Sequence, residues 1–321
     1  MAAYLVRRAI LLALSLAVSS VALFVLLRVL PGDPANALLD MGATPAQAAA
    51  ARHELGTDLP PAQQFGGWLR DLARLDLGRS LVSSLPVASE IAGRLHVTVP
   101  LTVLAFLLAV LIAVPTGFLV ALRRGTWYGT LLAGVSQLGL AVPVFWVGML
   151  LVTVFALRLR WLPAGGFPAE DWAAPAAALT SLLLPVATIA LVMSASLTRY
   201  VHSAALDVLD SDYLRTARAL GAPLRAALWR HGLRNAAAPV VPILAIELAS
   251  TFLGAVVVEN VFALPGLGSM LVRAFAQHDY PVIQGVLTLS TAAVLTIGFV
   301  ADTAQRLIDP RLRRTATGTS A

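Results

Sequence analysis

Six apolar runs dominate the chain, at residues 9–27, 99–122, 130–157, 178–200, 236–258 and 282–304. Each is about as long as the roughly 20 residues a helix needs to cross a hydrocarbon core. Inside lipid no water reaches the backbone, so every amide and carbonyl of a crossing segment must be satisfied within the protein. Helices meet that demand locally and open sheets do not. The expected fold class is therefore an all-α membrane protein of six transmembrane helices. Composition agrees: 58% of residues are hydrophobic and 12% charged, against about 25% charged in soluble domains, and the mean hydropathy is +0.81.

The first run follows Arg7 and Arg8 and stops at Arg28 and the string LPGDP. A signal peptide has a similar basic start, and ANA at residues 35–37 imitates a cleavage site. Its apolar region, however, is only about 7–15 residues long, so the run reads as an uncleaved first span, residues 1–30. Residues 31–98 read as an extracytoplasmic segment. Within it Thr44 to Gln47 form a capping box with Pro45 at the first helical position. Pro60 and Pro61 precede a second helix near 62–75, and PVASEIAGRL (86–95) is a short amphipathic piece at the bilayer interface. A five-helix core, 99–304, includes a loop at 201–235, and 305–321 form a cytoplasmic tail.

Charge orients the spans. All 23 basic residues are arginine, and the formal net charge is +6. Loops on one side hold Arg7 and Arg8, then Arg123 and Arg124, then six arginines against three aspartates in 199–235, then four against two after residue 301. Loops on the other side are neutral or acidic. By the positive-inside rule both termini and the 201–235 loop are cytoplasmic. The same rule accounts for the basic balance without nucleic acid as a partner. With no cysteine in the chain, disulfide and thiolate chemistry are excluded.

The 201–235 loop carries legible helix signals. Asp210, Ser211 and Asp212 supply an N-cap and first-turn negative charge. Gly221 suits the position after the helix end, and Pro223 prevents continuation. Between them Tyr213, Ala217 and Leu220 share one face, and Arg215 and Arg218 another. A second helix starts near Leu224 and runs into the fifth span. The segment reads either as a solvated loop whose arginines fix topology, or as a short helix presenting an apolar face to a partner's groove.

The string DYLRTARALG (212–221) followed by LRNAAAPVV (233–241) resembles the coupling-helix motif of ABC importer permeases of the dipeptide/oligopeptide branch. That motif runs E-A-A, three residues, Gly, nine residues, I-x-L-P. Counting from Gly221, Arg215, Thr216 and Ala217 fall on E-A-A, and His231, Leu233 and Arg234 on I, L and P. Of these Ala217, Gly221 and Leu233 match. LPGDP (30–34), LDLGRSLVSSLPV (75–87), VENVFALPGLGSMLVRAFAQHDYPVIQG (258–285) and DPR (309–311) resemble further stretches of the same branch, in the same order. The resemblance implies an inner-membrane permease with the ABC importer permease fold, forming half of a path for peptides. It also implies a homologous second permease subunit, two ABC ATPase subunits that bind ATP and Mg, and an extracytoplasmic substrate-binding protein. Tyr213, Arg215, Thr216, Ala217, Arg218, Ala219, Leu220 and Gly221 would engage the ATPase. No G-x-x-x-x-G-K-[ST] loop occurs in this chain, so no cofactor is expected on it. The branch also includes importers of glutathione and of nickel chelates.

Polar residues inside the runs are candidates for the substrate path. Glu247 sits midway along the fifth span, where a carboxylate faces a bundle interior or wet cavity. It reads either as a site for a cargo amine or guanidinium, or as a structural partner for an arginine or backbone group. Gln137 and Asn260 are softer path candidates; Ser136 and Gln137 also suit helix packing. Glu259 with Asn260 reads as a gate or a solvated loop. The five histidines show no H-E-x-x-H spacing, so no metal site is expected. Pro265 to Gly268 reads as a turn rather than a phosphate loop. An intramembrane hydrolase would need more than Ser194 or Ser196, neither of which lies in G-x-S-x-G. A proton-coupled secondary transporter working through Glu247 would leave the 212–221 motif unexplained.

Overall fold

The computed structural model describes residues 2–29, 44, 46 and 59–308. The LPGDP and ANA strings and the DPR ending thus lie outside the described residues, as do Pro45 and Gln47 of the capped turn expected at 44–47. The helices are α1 (Ala2–Val29), α2 (Pro61–Ala73), α3 (Val87–Leu122), α4 (Trp127–Ala141), α5 (Val144–Leu151), α6 (Pro175–Leu209), α7 (Asp212–Ala219), α8 (Leu224–Ala227), α9 (Leu233–Val261), α10 (Leu267–Ala276) and α11 (Tyr280–Ile308). Two π-helical stretches extend them, Val152–Arg158 after α5 and Leu228–Gly232 between α8 and α9. Among the described residues there is no named strand, only an isolated bridge between Arg79 and Pro86.

Five helices are long and apolar enough to cross a membrane, and a sixth span forms if α4 and α5 are counted together. Those two are bent by 104°, so the single run expected at 130–157 is broken. The cause is Pro143. It has no amide hydrogen and disfavours helical backbone in the residue before it. Val142 is accordingly extended (φ −88°, ψ 124°), as is Pro143 itself (φ −62°, ψ 136°). Pro115, Pro185 and Pro242, by contrast, lie inside continuous helices.

A second difference concerns residues 86–95. Pro86 precedes α3, and residues 87–95 are not a separate helix but its opening turns; α3 runs 36 residues. At 1.5 Å per residue that is about 54 Å, well beyond a hydrocarbon core of about 30 Å.

The chain divides into two compact units. One comprises residues up to Val99 with Leu264–Leu295; the other comprises Pro100–Ala263 with residues from Thr296 onward. In the first, Phe24 of α1 packs against Phe65 and Trp68 of α2, with ring centroids 5.2 and 6.2 Å away. The Asp279 carboxylate, 3% exposed, accepts from the Ser80 hydroxyl (2.5 Å) and the Leu81 amide (3.2 Å). It thereby fastens the 79–86 turn to the α10–α11 junction. The turn expected at Pro265 to Gly268 is instead the entry to a helix: Gly266 is the N-cap and Leu267 and Gly268 open α10, and Thr98 Oγ1 accepts from the Leu267 amide at 2.8 Å, capping α10 from α3.

In the second unit α6 is central. It packs against α4, α5 and α9, and α5 packs against α9. Ala190, Met193 and Leu197 form a stripe at helical spacing on α6 and bury Ala109 and Ala113 of α3, flanked by Ile243 and Leu244 of α9. Small residues carry the close approaches, as they must where lipid supplies no hydrophobic drive between helices. A Cβ on Gly117 would stand 2.7 Å from Val201, and one on Gly139 2.7 Å from Ala195.

Candidate functional site

The 201–235 segment folds as its local signals dictate. α6 ends at Leu209, and only Asp210 and Ser211 separate it from α7. Ser211 is the N-cap residue, with extended backbone, but its hydroxyl donates to Val208 O at 2.6 Å instead of accepting from α7. Asp212 places a carboxylate in the first turn. The far end closes by a Schellman motif: the Gly221 amide donates to Arg218 O (3.0 Å) and the Ala222 amide to Ala217 O (3.1 Å). That geometry needs a left-handed residue, and Gly221 has φ +90°.

Leu214 anchors α7, at 1% exposed. Tyr213, Arg215, Thr216, Arg218, Ala219 and Leu220 are exposed and Ala217 is half-buried. Leu220 is 84% exposed, an apolar side chain held out on a capped helix. Arg215 pairs with Asp212 across one turn at 3.7 Å, both of them solvated. α8 begins at Leu224 as expected and leads through the π-helical stretch into α9. The side chains of His231, Leu233 and Arg234 lie outside the described residues.

Beside α7 stands a bidentate ion pair. Arg124 Nη1 and Nη2 donate to Asp210 Oδ2 and Oδ1, each at 2.8 Å. The hydrogen bonds from Arg124, with its charge, hold the Asp210 carboxyl below the ordinary 3.8. A depressed carboxyl pKa contributes stability that is present above the ordinary value and lost as pH falls through the lowered one. The pair is thus fully ionised at neutral pH.

Glu247 occupies the middle of α9 and is half-buried. Its Oε1 accepts from Ser196 Oγ of α6 at 2.7 Å, and its backbone carbonyl accepts from Thr251 Oγ1 at 2.7 Å. The carboxylate is therefore held by a hydroxyl across the α6–α9 contact, where an arginine or a backbone group had been an option. The other path candidates stand apart. Gln137 is exposed on α4 beside Leu131, Val135 and Leu138. Asn260 is exposed and donates to Val256 O within its own helix at 2.7 Å. No hydrogen bond joins either to Glu247. Glu259 is not part of a solvated loop: it lies in the last turn of α9 and is 0% exposed.

Sequence reasoning missed Leu214, Ser196 and the Arg124–Asp210 pair. Leu214 had a signal, as the one long aliphatic residue among polar neighbours in the first turn of α7. The other two depend on partners 51 and 86 residues apart, and nothing local marks them.

Comparison with known proteins follows the same lines. Residues 113–314 match the family described as "Binding-protein-dependent transport system inner membrane component". Residues 1–102 match its N-terminal companion, "Binding-prot-dependent transport system membrane comp, N-term". The chain is 37% identical over 313 residues to a "Probable peptide ABC transporter permease protein" of Sinorhizobium fredii, covering 98% of this chain and 100% of that protein. It is 35% identical over 310 residues to the glutathione transport system permease protein GsiC of Escherichia coli K12, covering 97% and 98%. Among solved structures, an inward-facing MetNI methionine ABC transporter aligns with TM-score 0.55 at 17% identity, over 68% of this chain and 96% of that one. That last likeness is one of fold.

Proposed function

The chain belongs to the family of binding-protein-dependent transport system inner membrane components, and from this premise we propose that it forms half of a peptide-translocating path driven by separate ATPase subunits. It is a multi-pass inner-membrane permease of the ABC importer type. In our reading both termini and the 201–235 segment face the cytoplasm, and the chain itself catalyses nothing and binds no cofactor. A homologous second permease completes the path, and two ABC ATPase subunits bind ATP and Mg. A substrate-binding protein delivers cargo to the side that carries residues 31–98. Peptide cargo is supported by the Sinorhizobium relative, named for peptide transport, and by the Escherichia relative, named for glutathione, itself a tripeptide. Glu247, half-buried at mid-span, is the residue we assign to the path; nothing beyond the sequence favours Gln137 or Asn260.

The observation that carries the coupling role is the form of α7. It is a helix capped at its C-terminal end, rooted by Leu214, joined to a 35-residue helix by two residues and presenting Tyr213, Arg215, Arg218 and Leu220 outward. Such a helix suits a groove on a partner. In the assembled transporter, Ala217→Arg puts a charge where the helix has a methyl group, and Gly221→Pro forbids the left-handed turn. Both should abolish ATP-driven uptake or the attachment of the ATPase subunits, while the chain still inserts in the membrane. Normal uptake by both variants overturns the assignment.

A further inference from the structure

The loop between α3 and α4 is unusually well built for so short a connection. Thr126 caps α4, its Oγ1 accepting from the Gly129 amide at 3.2 Å and donating to Arg123 O at 2.7 Å. The Thr126 amide donates to the same carbonyl at 3.1 Å. Gly125 takes φ +82°, a turn conformation that suits glycine. A Cβ on Gly129 would meet Arg123 O at 2.3 Å, so that position leaves no room for a side chain. Arg123 donates to the Tyr128 hydroxyl and lies 5.3 Å from that ring's centroid. Thr126 and Tyr128 are thereby tied to Arg123, and Gly129 to Thr126, and Arg124 projects from within this bonded turn.

What Arg124 reaches is Asp210, the C-cap residue of α6 and one of only two residues between α6 and α7. Exposed ion pairs add little to stability, typically about 0–1 kcal/mol. A fork-to-fork pair at two distances of 2.8 Å, however, specifies direction as well as contact. It is formed by two preorganised groups, one on the α3–α4 turn and one at the root of α7. We propose that Arg124 and Asp210 form a positioning strut that fixes the angle at which α7 leaves α6, so that force on α7 reaches α3 and α4 as well as α6. The inference rests on the reading of α7 as the ATPase-engaging helix, but the strut's geometry can be tested apart from it.

The absence of cysteine allows a clean double label. Thr130→Cys on α4 and Ala219→Cys on α7 are both exposed positions. Spin labels there, in the purified chain reconstituted in nanodiscs, report the α4–α7 distance distribution. Asp210→Asn and Arg124→Gln should each broaden it. In the full transporter the reversals Arg124→Asp and Asp210→Arg should retain the ATPase subunits yet lower uptake per ATP hydrolysed about fivefold or more. The combined swap should return that ratio to within about twofold of the original. Unchanged distance distributions in both neutral variants refute the strut whatever the transporter does. Broadened distributions with an unchanged uptake-to-ATP ratio leave the strut's geometry standing and refute its part in coupling.

Discussion

Asp279 offers the sharpest test of how the first unit is held together. Its carboxylate is 3% exposed and takes one bond from Ser80 Oγ at 2.5 Å and one from the Leu81 amide at 3.2 Å. The same Ser80 oxygen accepts from the amides of Val82 and Ser83 at 3.2 and 2.9 Å. A single carboxylate thus orders three consecutive amides, two of them through a hydroxyl. Asp279→Ala removes both bonds and leaves the Ser80 hydroxyl and Leu81 amide without this acceptor. Hydrogen bonds to charged groups contribute about 1.5–3 kcal/mol each; the 3.2 Å bond belongs at the low end, so the local loss is about 3 kcal/mol. Each 1.4 kcal/mol is a factor of ten. Amide exchange at Leu81, Val82 and Ser83 should therefore accelerate about 100-fold. Asp279→Asn keeps one acceptor oxygen and the volume, and should accelerate exchange about tenfold. Hydrogen exchange read by mass spectrometry on peptides spanning 79–86, with a peptide from the middle of α6 as internal reference, measures this directly. Exchange at 79–86 unchanged in Asp279→Ala would show that the turn is held by its own bonds, Ser80 N to Leu85 O and Val87 N to Gly78 O, and that the buried carboxylate fastens nothing.

Two further outcomes are expected. Gly117→Ala places a methyl group 2.7 Å from Val201 and 3.0 Å from the His202 amide nitrogen, which is backbone and cannot rotate aside. Overpacking of this kind costs about 1–3 kcal/mol and should lower the thermal midpoint in detergent by several degrees. The control Gly93→Ala, with nothing within 4 Å, should match or exceed the original. Glu247→Gln keeps the volume and a hydrogen-bonding oxygen but removes the charge, so in the assembled transporter a lysine-containing peptide should lose more uptake than an all-alanine peptide. Equal losses for the two would reduce Glu247 to a fastening between α6 and α9 through Ser196.

The spans and the form of α7 were legible because both are written locally. Membrane-length apolar runs need no partner to be recognised, and the C-terminal closure of α7 depends on Gly221 alone having the freedom for φ +90°. Asp212 was likewise readable as a first-turn acid. The N-cap was half right: Ser211 holds the position, but its hydroxyl bonds backward to Val208. The effect of a proline inside a span is not legible locally, since Pro143 breaks its run while Pro115, Pro185 and Pro242 do not. The difference is tertiary, because freed carbonyls inside a bundle can be satisfied by neighbours that the local string does not name. The continuity of residues 87–95 with α3 was missed for a related reason. Its first turns look amphipathic alone, yet Val87 and Ile91 are buried, partly against the Gly285 surface of α11. Ser80 with Asp279, Thr98 with Leu267 and Ser196 with Glu247 join residues 199, 169 and 51 apart. No periodicity encodes such pairs.

The way α6 is packed determines where a load applied to α7 goes. Lipid tails are as apolar as leucine, so helices in a bilayer gain nothing from hiding apolar surface against each other and hold together by close fit. Along α6 the fit is set by glycines on three neighbours. Gly117 of α3 lies against Val201, Gly139 of α4 against Ala195, and Gly148 of α5 close enough to Thr188 that a Cβ there would lie 3.4 Å from its methyl group. These contacts span positions 188 to 201 of a helix 35 residues long, about 52 Å at 1.5 Å per residue. Sliding α6 by one residue would bring side chains into gaps that hold none, which opposes movement of the helix past these neighbours. Between α6 and α7 only Asp210 and Ser211 lie outside both helices. The Arg124 fork closes on one of them and the Ser211 hydroxyl ties the other back to Val208. A junction braced on both residues transmits rotation of α7 where a free two-residue linker would absorb it.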